Sequence, residues 1–370
     1  MKKVLIFPLL NSMPSGHHQV AEAICEFIDD HSKEIECKKV DLLSEWNATV
    51  ESAAVKTYLQ WIRRAPHSYA WIYRQLAYKS SKDRSHKTYE WLFMHKITGI
   101  LEREKPDLII CTHGFPSLFI NKLKKQGKCT VPCLNVYTDF FINDIWGRSH
   151  VDYHFAANHA MKKSLIRAYE IAEERIFVTG VPVSEKFSRE ESKGTKKALT
   201  ILVSGGSTGL SSVLHQLNGE IDQSKWDFQI LCGTNKKLQK EILTLNHPAI
   251  HSVPYVSSKE KMNKLYNEAD AIVTKPGGVT ISEALRKELP IFVPAALPGQ
   301  EEINLEYLAK EKLVFAVPKN RHLIDFIDST LADGEAIKQY RSCVKFYKKS
   351  LSLKNSEEIY KEIEKILSNN

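Results

Sequence analysis

Residues 274–284 have the composition of a phosphate-binding turn that leads into a helix. An apolar run ends in a Pro-Gly-Gly sequence, in which Gly277 and Gly278 allow backbone N–H groups to approach a ligand. A helix predicted to begin near Thr280 would direct its positive end at the same place, which favours a diphosphate. Glu283, predicted in the first helical turn, could accept hydrogen bonds from a ribose diol. The alternative is an ordinary turn in which Glu283 is a surface acid that complements the helix dipole.

Two neighbouring stretches favour a nucleotide-sugar ligand over an ordinary turn. Residues 297–304 follow the next predicted strand and include Gln300 and Glu301, whose side chains suit sugar hydroxyls. Upstream, Tyr255 and Val256 lie in a predicted loop that could offer backbone groups and a flat face to a base. Open α/β folds bind ligands at the carboxyl ends of their strands. The sequence therefore predicts partners for base, ribose, diphosphate and sugar at one edge of a sheet.

A second glycine-rich loop, at residues 205–209, follows another predicted strand. An NAD-binding site would need an acidic residue at the end of the next strand, and the strand predicted to end at Cys232 has none. The sequence also contains no P-loop motif. Gly206 and Ser207 therefore remain candidates for one wall of a nucleotide-sugar site.

Candidate acid–base residues occur in the first half of the chain. His17 follows the first predicted strand, and Asp139 directly follows another. Gly16, next to His17, is predicted to be a donor-binding residue. Transfer of a sugar to a hydroxyl group needs a base, and an imidazole or a carboxylate can act as one. The alternatives are a structural histidine and a helix-capping aspartate. The chain has no Asp-x-Asp pair, which favours a metal-independent reaction; we expect no metal and no cofactor.

The elements that must position these residues alternate between short apolar runs and helical patterns. Such alternation predicts parallel sheets that are covered on both faces, and hence an α/β fold. The predicted strands are Val4–Leu9, Leu108–Thr112, Cys133–Thr138, Tyr153–Ala156, Ile176–Val178, Leu199–Ser204, Phe228–Cys232, Ala271–Thr274 and Ile291–Val293.

Length and composition indicate a two-domain globular protein. The chain has 370 residues, of which 43% are hydrophobic and 26% charged. A charged stretch at 185–197 is predicted to link a first domain at 1–184 to a second domain that starts at 198. No apolar run approaches the roughly 20 residues that span a bilayer. The seven cysteines are scattered without a CxxC pair, which favours reduced thiols in the cytosol.

The segment from Lys56 to Lys96 interleaves aromatic and cationic residues. Aromatic rings settle at the level of lipid headgroups and cations are attracted to anionic lipid, so this composition favours a membrane surface. Nucleic acid and a pair of helices packed on the first domain are the alternatives. The residues predicted to contact the membrane are Trp61, Arg63, Arg64, Trp71, Tyr73 and Arg74.

The order of these motifs resembles glycosyltransferase family 28. The closest subgroup is formed by monogalactosyldiacylglycerol synthase and the bacterial diacylglycerol glucosyltransferases. The motifs are Gly16-His17, Thr138-Asp139-Phe140, Thr179-Gly180-Val181-Pro182, Cys232-Gly233-x-Asn235, Lys275-Pro276-Gly277-Gly278-x-Thr280-x-x-Glu283-Ala284 and Pro298-Gly299-Gln300-Glu301.

The resemblance implies a GT-B fold, with two Rossmann-like domains that face a cleft. The first domain would bind the acceptor and dock on the membrane, and residues 198–340 would bind a UDP-sugar. Helices in residues 341–370 would return to the first domain. The implied reaction is an inverting, metal-independent transfer of a hexose from the UDP-sugar to a lipid acceptor, most simply diacylglycerol.

The resemblance also implies a role for each site residue. Asp139 would be the general base, and His17 would lie near the acceptor hydroxyl or the donor sugar. Glu283 would hold the ribose, and Val256 would contact the uracil. The diphosphate would be bound by Gly277, Gly278, Val279 and Thr280, and the sugar by Gln300 and Glu301.

Two departures from the family pattern lie on the acceptor side. Asn11 to Ser15 stand in place of a glycine-rich turn, and Asn143 replaces a histidine that is common in the bacterial glucosyltransferases. The acceptor therefore stays open between diacylglycerol, a cell-wall intermediate and a soluble metabolite. A non-catalytic UDP-sugar sensor and a UDP-sugar 2-epimerase are further alternatives. We expect a cytoplasmic protein, peripheral on the inner face of the cell membrane, with no nucleic-acid partner.

Overall fold

The computed structural model describes residues 1–8, 15–40, 42, 87–187, 198–206, 209–217 and 221–369. The chain divides into two compact units. The first unit comprises Met1–Ser184 together with Leu351–Asn370, and the second comprises Glu185–Ser350.

The first unit is built on a six-stranded parallel sheet. In chain order its strands are β1 (Lys2–Phe7), β2 (Ile35–Lys39), β3 (Leu108–Cys111), β4 (Cys133–Val136), β5 (Tyr153–Ala156) and β6 (Ile176–Val178), and their order in the sheet is β2-β1-β3-β4-β5-β6. Its helices are α1 (Gly16–His31), α2 (Lys87–Glu104), α3 (Gly114–Lys125) and α4 (His159–Tyr169). Val4–Phe7 and Leu108–Cys111 are wholly buried, as expected of strands covered on both faces.

The second unit repeats this architecture. Its strands are β7 (Leu199–Ser204), β8 (Trp226–Leu231), β9 (Ile250–Val253), β10 (Ala271–Thr274), β11 (Ile291–Val293) and β12 (Phe315–Ala316), in the sheet order β12-β11-β10-β7-β8-β9, all parallel. Its helices are α5 (Ser211–Gln216), α6 (Lys236–Leu245), α7 (Lys259–Glu268), α8 (Gly278–Lys287), α9 (Gln300–Lys310), α10 (Leu323–Ala332) and α11 (Gly334–Ser350). The predicted α/β class is confirmed.

Three strands were missed by the sequence prediction, and all three are short or polar strands towards the rim of a sheet. β2 and β12 are edge strands of their sheets, and β9 is the opposite edge of the second. In β2 only the first residue, Ile35, is buried, and the other four are partly or fully exposed. β12 has only two residues. β2 and β9 contain polar residues, so no continuous apolar run marks them in the sequence. β12 lies within the apolar run Leu313–Val317 but pairs through only two residues.

The chain returns to the first unit after α11. The backbone N–H of Ser352 donates to the carbonyl of Val178, the last residue of β6, at 2.7 Å. The final helix, α12 (Ser356–Ser368), packs on α1, and Tyr360 stacks on His31 with ring centroids 5.1 Å apart. The sequence expectation put this return at residue 341, whereas α11 continues in the second unit to Ser350.

The first three residues of the expected linker belong to the second unit. Glu185–Phe187 form a short 3-10 turn, in which Glu185 pairs with Arg286 and Phe187 packs edge-on against Tyr266 at 5.6 Å. Phe187 is buried, so its apolar ring anchors the turn to α7 and α8. Residues 188–197 lie outside the described residues.

Candidate active site

In the first unit, three neighbouring strands lead to the candidate acid–base residues. β1 precedes His17, β3 precedes His113, and β4 precedes Asp139, and these strands are adjacent in the sheet. From β1 the chain passes to β2 on one side and then to β3 on the other, so the topological switch point lies between β1 and β3. Open α/β sheets bind ligands at such points.

His17 is held by its Nδ1 atom. Nδ1 lies 2.8 Å from the carbonyl oxygen of Thr112 and 2.8 Å from the hydroxyl oxygen of Thr138. A carbonyl oxygen only accepts hydrogen bonds, so Nδ1 carries the proton of the neutral ring and Nε2 is its basic nitrogen. The Thr112 hydroxyl donates in return to the His17 carbonyl at 3.0 Å. These contacts fix both the tautomer and the direction of the ring.

The pKa of His17 is lowered from its usual value, chiefly because burial disfavours the charged ring. The negative charge of Asp139 and the hydrogen bond to Thr112 oppose this shift but do not cancel it. His17 is therefore a neutral imidazole at neutral pH, with a carboxylate close enough to stabilise a proton on it. Both predicted residues, which are 122 positions apart in sequence, thus act on each other in the fold.

His113 is a functional candidate that the sequence prediction missed. Its ring meets the ring of His17 edge to face, with centroids 4.5 Å apart. Its position in the sequence could have indicated it, because Thr112-His113-Gly114 follows a buried strand just as Thr138-Asp139 does. Residue type alone could not identify His113 as a site residue, since a single histidine is most often structural.

In the second unit, the predicted donor-binding residues all follow strands of one parallel sheet. Gly206 follows β7, Val256 follows β9, Gly277 follows β10 and Gln300 follows β11. Here the chain passes from β7 to β8 and β9 on one side, and then to β10 on the other. The glycine loop and the Pro-Gly-Gly turn therefore flank the switch point of this sheet.

The glycine loop after β7 is compact. A Cβ atom added at Gly205 would lie 2.1 Å from the backbone of Gly209, so only glycine fits there. Gly206 has a φ of +65°, a conformation that other residues rarely adopt. Ser207 lies outside the described residues.

The Pro-Gly-Gly turn opens directly into α8, which begins at Gly278, two residues earlier than predicted. Gly277 is the N-cap residue, and its N–H donates to the Lys275 carbonyl at 2.8 Å. The Pro276 carbonyl accepts a hydrogen bond from Asn304 Nδ2 at 3.0 Å, and Asn304 is wholly buried. A Cβ atom at Gly277 would meet no protein atom within 4 Å. The turn is thus fixed from behind and open in front, as an anion-binding turn requires.

Glu283 is buried in the second turn of α8, so the surface-acid alternative is wrong. Only 9% of the residue is exposed, and its Oε2 atom accepts a hydrogen bond from the Tyr266 hydroxyl at 2.8 Å. Burial raises the pKa of Glu283 to about 7, and the hydrogen bond from Tyr266 opposes that shift. A buried carboxylate with one donor in place has acceptor capacity left for a hydroxyl-bearing ligand.

The remaining donor candidates lie at the start of α9 and in the loop after β9. Gln300 is the first residue of α9, and Gly299 before it has a φ of 102°, which places the turn in a glycine conformation. Glu301 Oε2 accepts a hydrogen bond from the Leu297 N–H at 2.7 Å, so part of this carboxylate orders its own loop. Tyr255, after β9, is half exposed.

The predicted membrane residues cannot be placed. Trp61, Arg63, Arg64, Trp71, Tyr73 and Arg74 lie outside the described residues. Among the helices that are described, none is both long and apolar enough to cross a bilayer. Within the same part of the chain, no group of three or more His, Cys, Asp or Glu side chains is arranged to hold a metal ion.

Comparison with known proteins finds a match for each of the two units. A family model described as monogalactosyldiacylglycerol (MGDG) synthase matches residues 17–183, and the glycosyltransferase family 28 C-terminal domain matches residues 200–354. An uncharacterized glycosyltransferase of Bacillus subtilis, YkoN, is 38% identical over 98% of this chain and 97% of that protein. The chain belongs to glycosyltransferase family 28.

A further relative and a solved structure are also similar to this family 28 glycosyltransferase. A processive diacylglycerol beta-glucosyltransferase of Staphylococcus carnosus is 28% identical, and the match covers 91% of this chain and 86% of that protein. The crystal structure of Acinetobacter baumannii MurG has a TM-score of 0.60 at 13% identity, over 99% of this chain and 100% of MurG. At that identity the likeness shows the fold alone, and it confirms the predicted GT-B fold.

The raised pKa of Glu283 predicts a pH-dependent stability of the family 28 glycosyltransferase. The pKa is about 7 in the folded protein against the usual 4.5, so between these values the folded state binds a proton more tightly. This contribution to stability is present below pH 4.5 and is lost as the pH rises through 7, at a cost of about 3 kcal/mol. Glu283→Gln should therefore flatten the decline of the unfolding free energy between about pH 5 and about pH 8.

Urea titrations of both proteins across that range measure the effect. Glu306→Gln, which removes an exposed carboxylate of α9, serves as the matched control and should leave the decline unchanged. A Glu283→Gln protein whose stability falls with pH as steeply as that of the wild type would contradict the assignment.

Proposed function

We propose that this glycosyltransferase transfers a hexose from a UDP-sugar to a lipid acceptor, diacylglycerol, by an inverting and metal-independent displacement. The observation that carries the proposal is the turn at Gly277, which is held from behind by Asn304 and opens onto the N-terminus of α8. The S. carnosus relative named as a diacylglycerol beta-glucosyltransferase supports the choice of acceptor.

The donor is proposed to bind along the carboxyl edge of the second sheet. The N–H groups of Gly278, Val279 and Thr280 receive the diphosphate, since a helix N-terminus favours negative charge. The N–H of Gly277 donates to the Lys275 carbonyl, and this glycine contributes the open space beside the turn. Glu283 accepts the hydrogen bonds of the ribose hydroxyls, with Tyr266 fixing its carboxylate.

The two ends of the donor take the outer loops of the same edge. Tyr255 and Val256 contact the uracil, and Gln300 and Glu301 bind the sugar hydroxyls. Gly206 and Ser207 form the wall beside them. Strands lie about 4.8 Å apart. The end of β9, which leads to the proposed uracil loop, and the end of β10, which leads to the proposed diphosphate turn, are three positions apart in the sheet and therefore separated by roughly 14 Å. An extended nucleotide-sugar suits this span better than a compact ligand.

The proposed reaction begins at a hydroxyl group of the acceptor, which attacks the sugar of the donor. Asp139 takes the hydroxyl proton, the oxygen forms a bond to the anomeric carbon, and the bond from that carbon to the diphosphate breaks with its electron pair on UDP. Attack from the side opposite the leaving group inverts the configuration. His17 stands beside Asp139 as a neutral imidazole that binds the same hydroxyl. The N-terminus of α8 stabilises the charge that develops on UDP without a metal ion.

The lipid acceptor implies a membrane surface. We propose that the basic aromatic segment from Lys56 to Lys96 docks on anionic lipid, so that the protein works as a peripheral enzyme on the inner face of the cell membrane. The composition of that segment is what supports this step.

The test of the proposed function is UDP release by the purified protein. UDP-glucose, UDP-galactose and UDP-N-acetylglucosamine are each supplied with and without diacylglycerol in anionic liposomes. We expect release that depends on diacylglycerol with one of these donors. Donor binding without lipid-stimulated release would instead indicate a cell-wall or soluble acceptor, and silence with a broader acceptor panel would indicate a sensor. UDP release with no glycoside and with the 2-epimer of the sugar as product would indicate an epimerase, whereas release of the unchanged sugar would be donor hydrolysis.

The proposed base gives a prediction on turnover. Asp139→Asn keeps the size of the side chain but removes the basic oxygen, so kcat should fall roughly 10²–10⁴-fold. Asp30→Asn, an exposed residue at the end of α1, is the control and should keep normal turnover. An Asp139→Asn enzyme with near-normal kcat would show that another group takes the proton.

The open turn gives a prediction on donor binding. Gly277 has an ordinary φ of −83° and free space around an added Cβ, so Gly277→Ala should fold with unchanged stability. The new methyl group would occupy the place of the diphosphate and should weaken UDP affinity by on the order of tenfold or more. Gly334→Ala, in the same unit and equally open, is the matched control.

Calorimetric titration with UDP, together with thermal unfolding of each variant, separates these effects. Equal UDP affinity in the Gly277→Ala and wild-type proteins would place the diphosphate elsewhere.

A further inference from the structure

His113 occupies the middle of the first unit's ligand edge. It follows β3, which lies between β1 and β4 in the sheet, and so it stands between the strands that lead to His17 and Asp139. Its ring is in direct contact with the ring of His17, at 4.5 Å between centroids and 75° between planes. The mechanism described above gives it no role.

One ring nitrogen of His113 is used by the fold. His113 is the N-cap residue of α3, and its Nδ1 accepts a hydrogen bond from the Phe115 N–H at 3.0 Å. Because Nδ1 is an acceptor, the proton of the neutral ring lies on Nε2. Burial and the neighbouring His17 and His18 hold the pKa of His113 well below its usual value, so the ring stays neutral.

Capping does not account for a histidine at this position. Asn, Asp, Ser and Thr are the preferred N-cap residues, and each offers an acceptor oxygen to the helix. What the imidazole adds is a second nitrogen, which projects beyond the cap as an N–H donor. In the part of the chain that the structure describes, Nδ1 is the ring nitrogen of His113 that makes a hydrogen bond.

His17 and His113 thus present opposite hydrogen-bonding characters side by side. His17 has its proton on Nδ1, where Thr112 and Thr138 hold it, and therefore offers a lone pair on Nε2. His113 has its lone pair on Nδ1, where the helix uses it, and offers a proton on Nε2. An alcohol group is the ligand that needs both, because its hydrogen must be accepted and its oxygen can accept.

We propose that His113 is a substrate-binding residue whose Nε2–H donates a hydrogen bond to the oxygen of the acceptor hydroxyl. This inference rests on the proposed function in taking that hydroxyl as the acceptor of the sugar. The oxygen has two lone pairs: one accepts the hydrogen bond from His113, and the other stays available to attack the anomeric carbon. The hydroxyl proton is then directed towards Asp139 and His17. The three residues together set the direction of attack.

Two isosteric substitutions separate the capping role of His113 from the binding role. Asn places an acceptor oxygen at the position of Nδ1 and nothing at the position of Nε2, so His113→Asn keeps the cap and removes the donor. Gln places an amide N–H near the position of Nε2 and is a poor N-cap, so His113→Gln keeps the donor and weakens the cap.

The experiment measures kcat and KM for diacylglycerol, UDP affinity and thermal unfolding for both variants. For His113→Asn we expect a normal melting temperature, normal UDP affinity, and kcat/KM for the acceptor reduced by on the order of tenfold, which is the usual worth of one hydrogen bond. For His113→Gln we expect a lower melting temperature and, at a temperature where it is folded, most of the wild-type kcat/KM. A His113→Asn enzyme with wild-type kcat/KM, or a folded His113→Gln enzyme as impaired as His113→Asn, would overturn the proposal.

A failure of the proposed acceptor can be told apart from a failure of this inference. If the wild-type protein releases no UDP in response to diacylglycerol, the lipid assignment is wrong, and His113 is then assayed in the slow hydrolysis of the donor. Water occupies the place of the alcohol in that reaction, so His113→Asn should lower its rate and His113→Gln should restore it. Equal hydrolysis rates in all three proteins would exclude a hydroxyl-binding role for His113.

Discussion

The site depends on one constraint: strands that run parallel must all end at the same edge of their sheet. Each unit buries its strands on both faces, which leaves that edge as the place where polar groups can gather. The helices that follow the strands begin there as well, so their N–H groups and positive ends point to the same region. In both units the loops of interest flank the point where strand order reverses. Chemistry is thereby confined to two edges before any single side chain is chosen.

The sequence predicted the parts of this arrangement that are local. The strand, the Pro-Gly-Gly turn and the helix with Glu283 are contiguous, so residue types and spacing were enough to recognise them. The central strands were equally clear, because Val4–Phe7 and Ala271–Thr274 are unbroken apolar runs. The alternation of strands and helices indicated the α/β class, and the resemblance carried by motifs in both halves implied the GT-B architecture.

What the sequence could not show depends on contacts between distant residues. The burial of Glu283 and its bond to Tyr266 arise from the packing of α8 on α7, so the surface-acid alternative could not be excluded from spacing. The tautomer of His17 is set by Thr112 and Thr138, which are 95 and 121 positions away. His113 became a candidate site residue only because its ring contacts the ring of His17 in the fold. The edge strands β2 and β9 were missed because their polar residues leave a weak pattern, and β12 because it is only two residues long.

The buried amide of Asn304 joins two parts of the donor region that the chain keeps separate. It lies one turn beyond Gln300 on α9 and donates a hydrogen bond to the carbonyl of Pro276, so α9 also holds the Pro-Gly-Gly turn in place. Under the proposed function, a shift of α9 that suits another hexose would therefore also move the turn proposed to bind the diphosphate. The proposed function thus implies that sugar preference and nucleotide affinity change together in this protein.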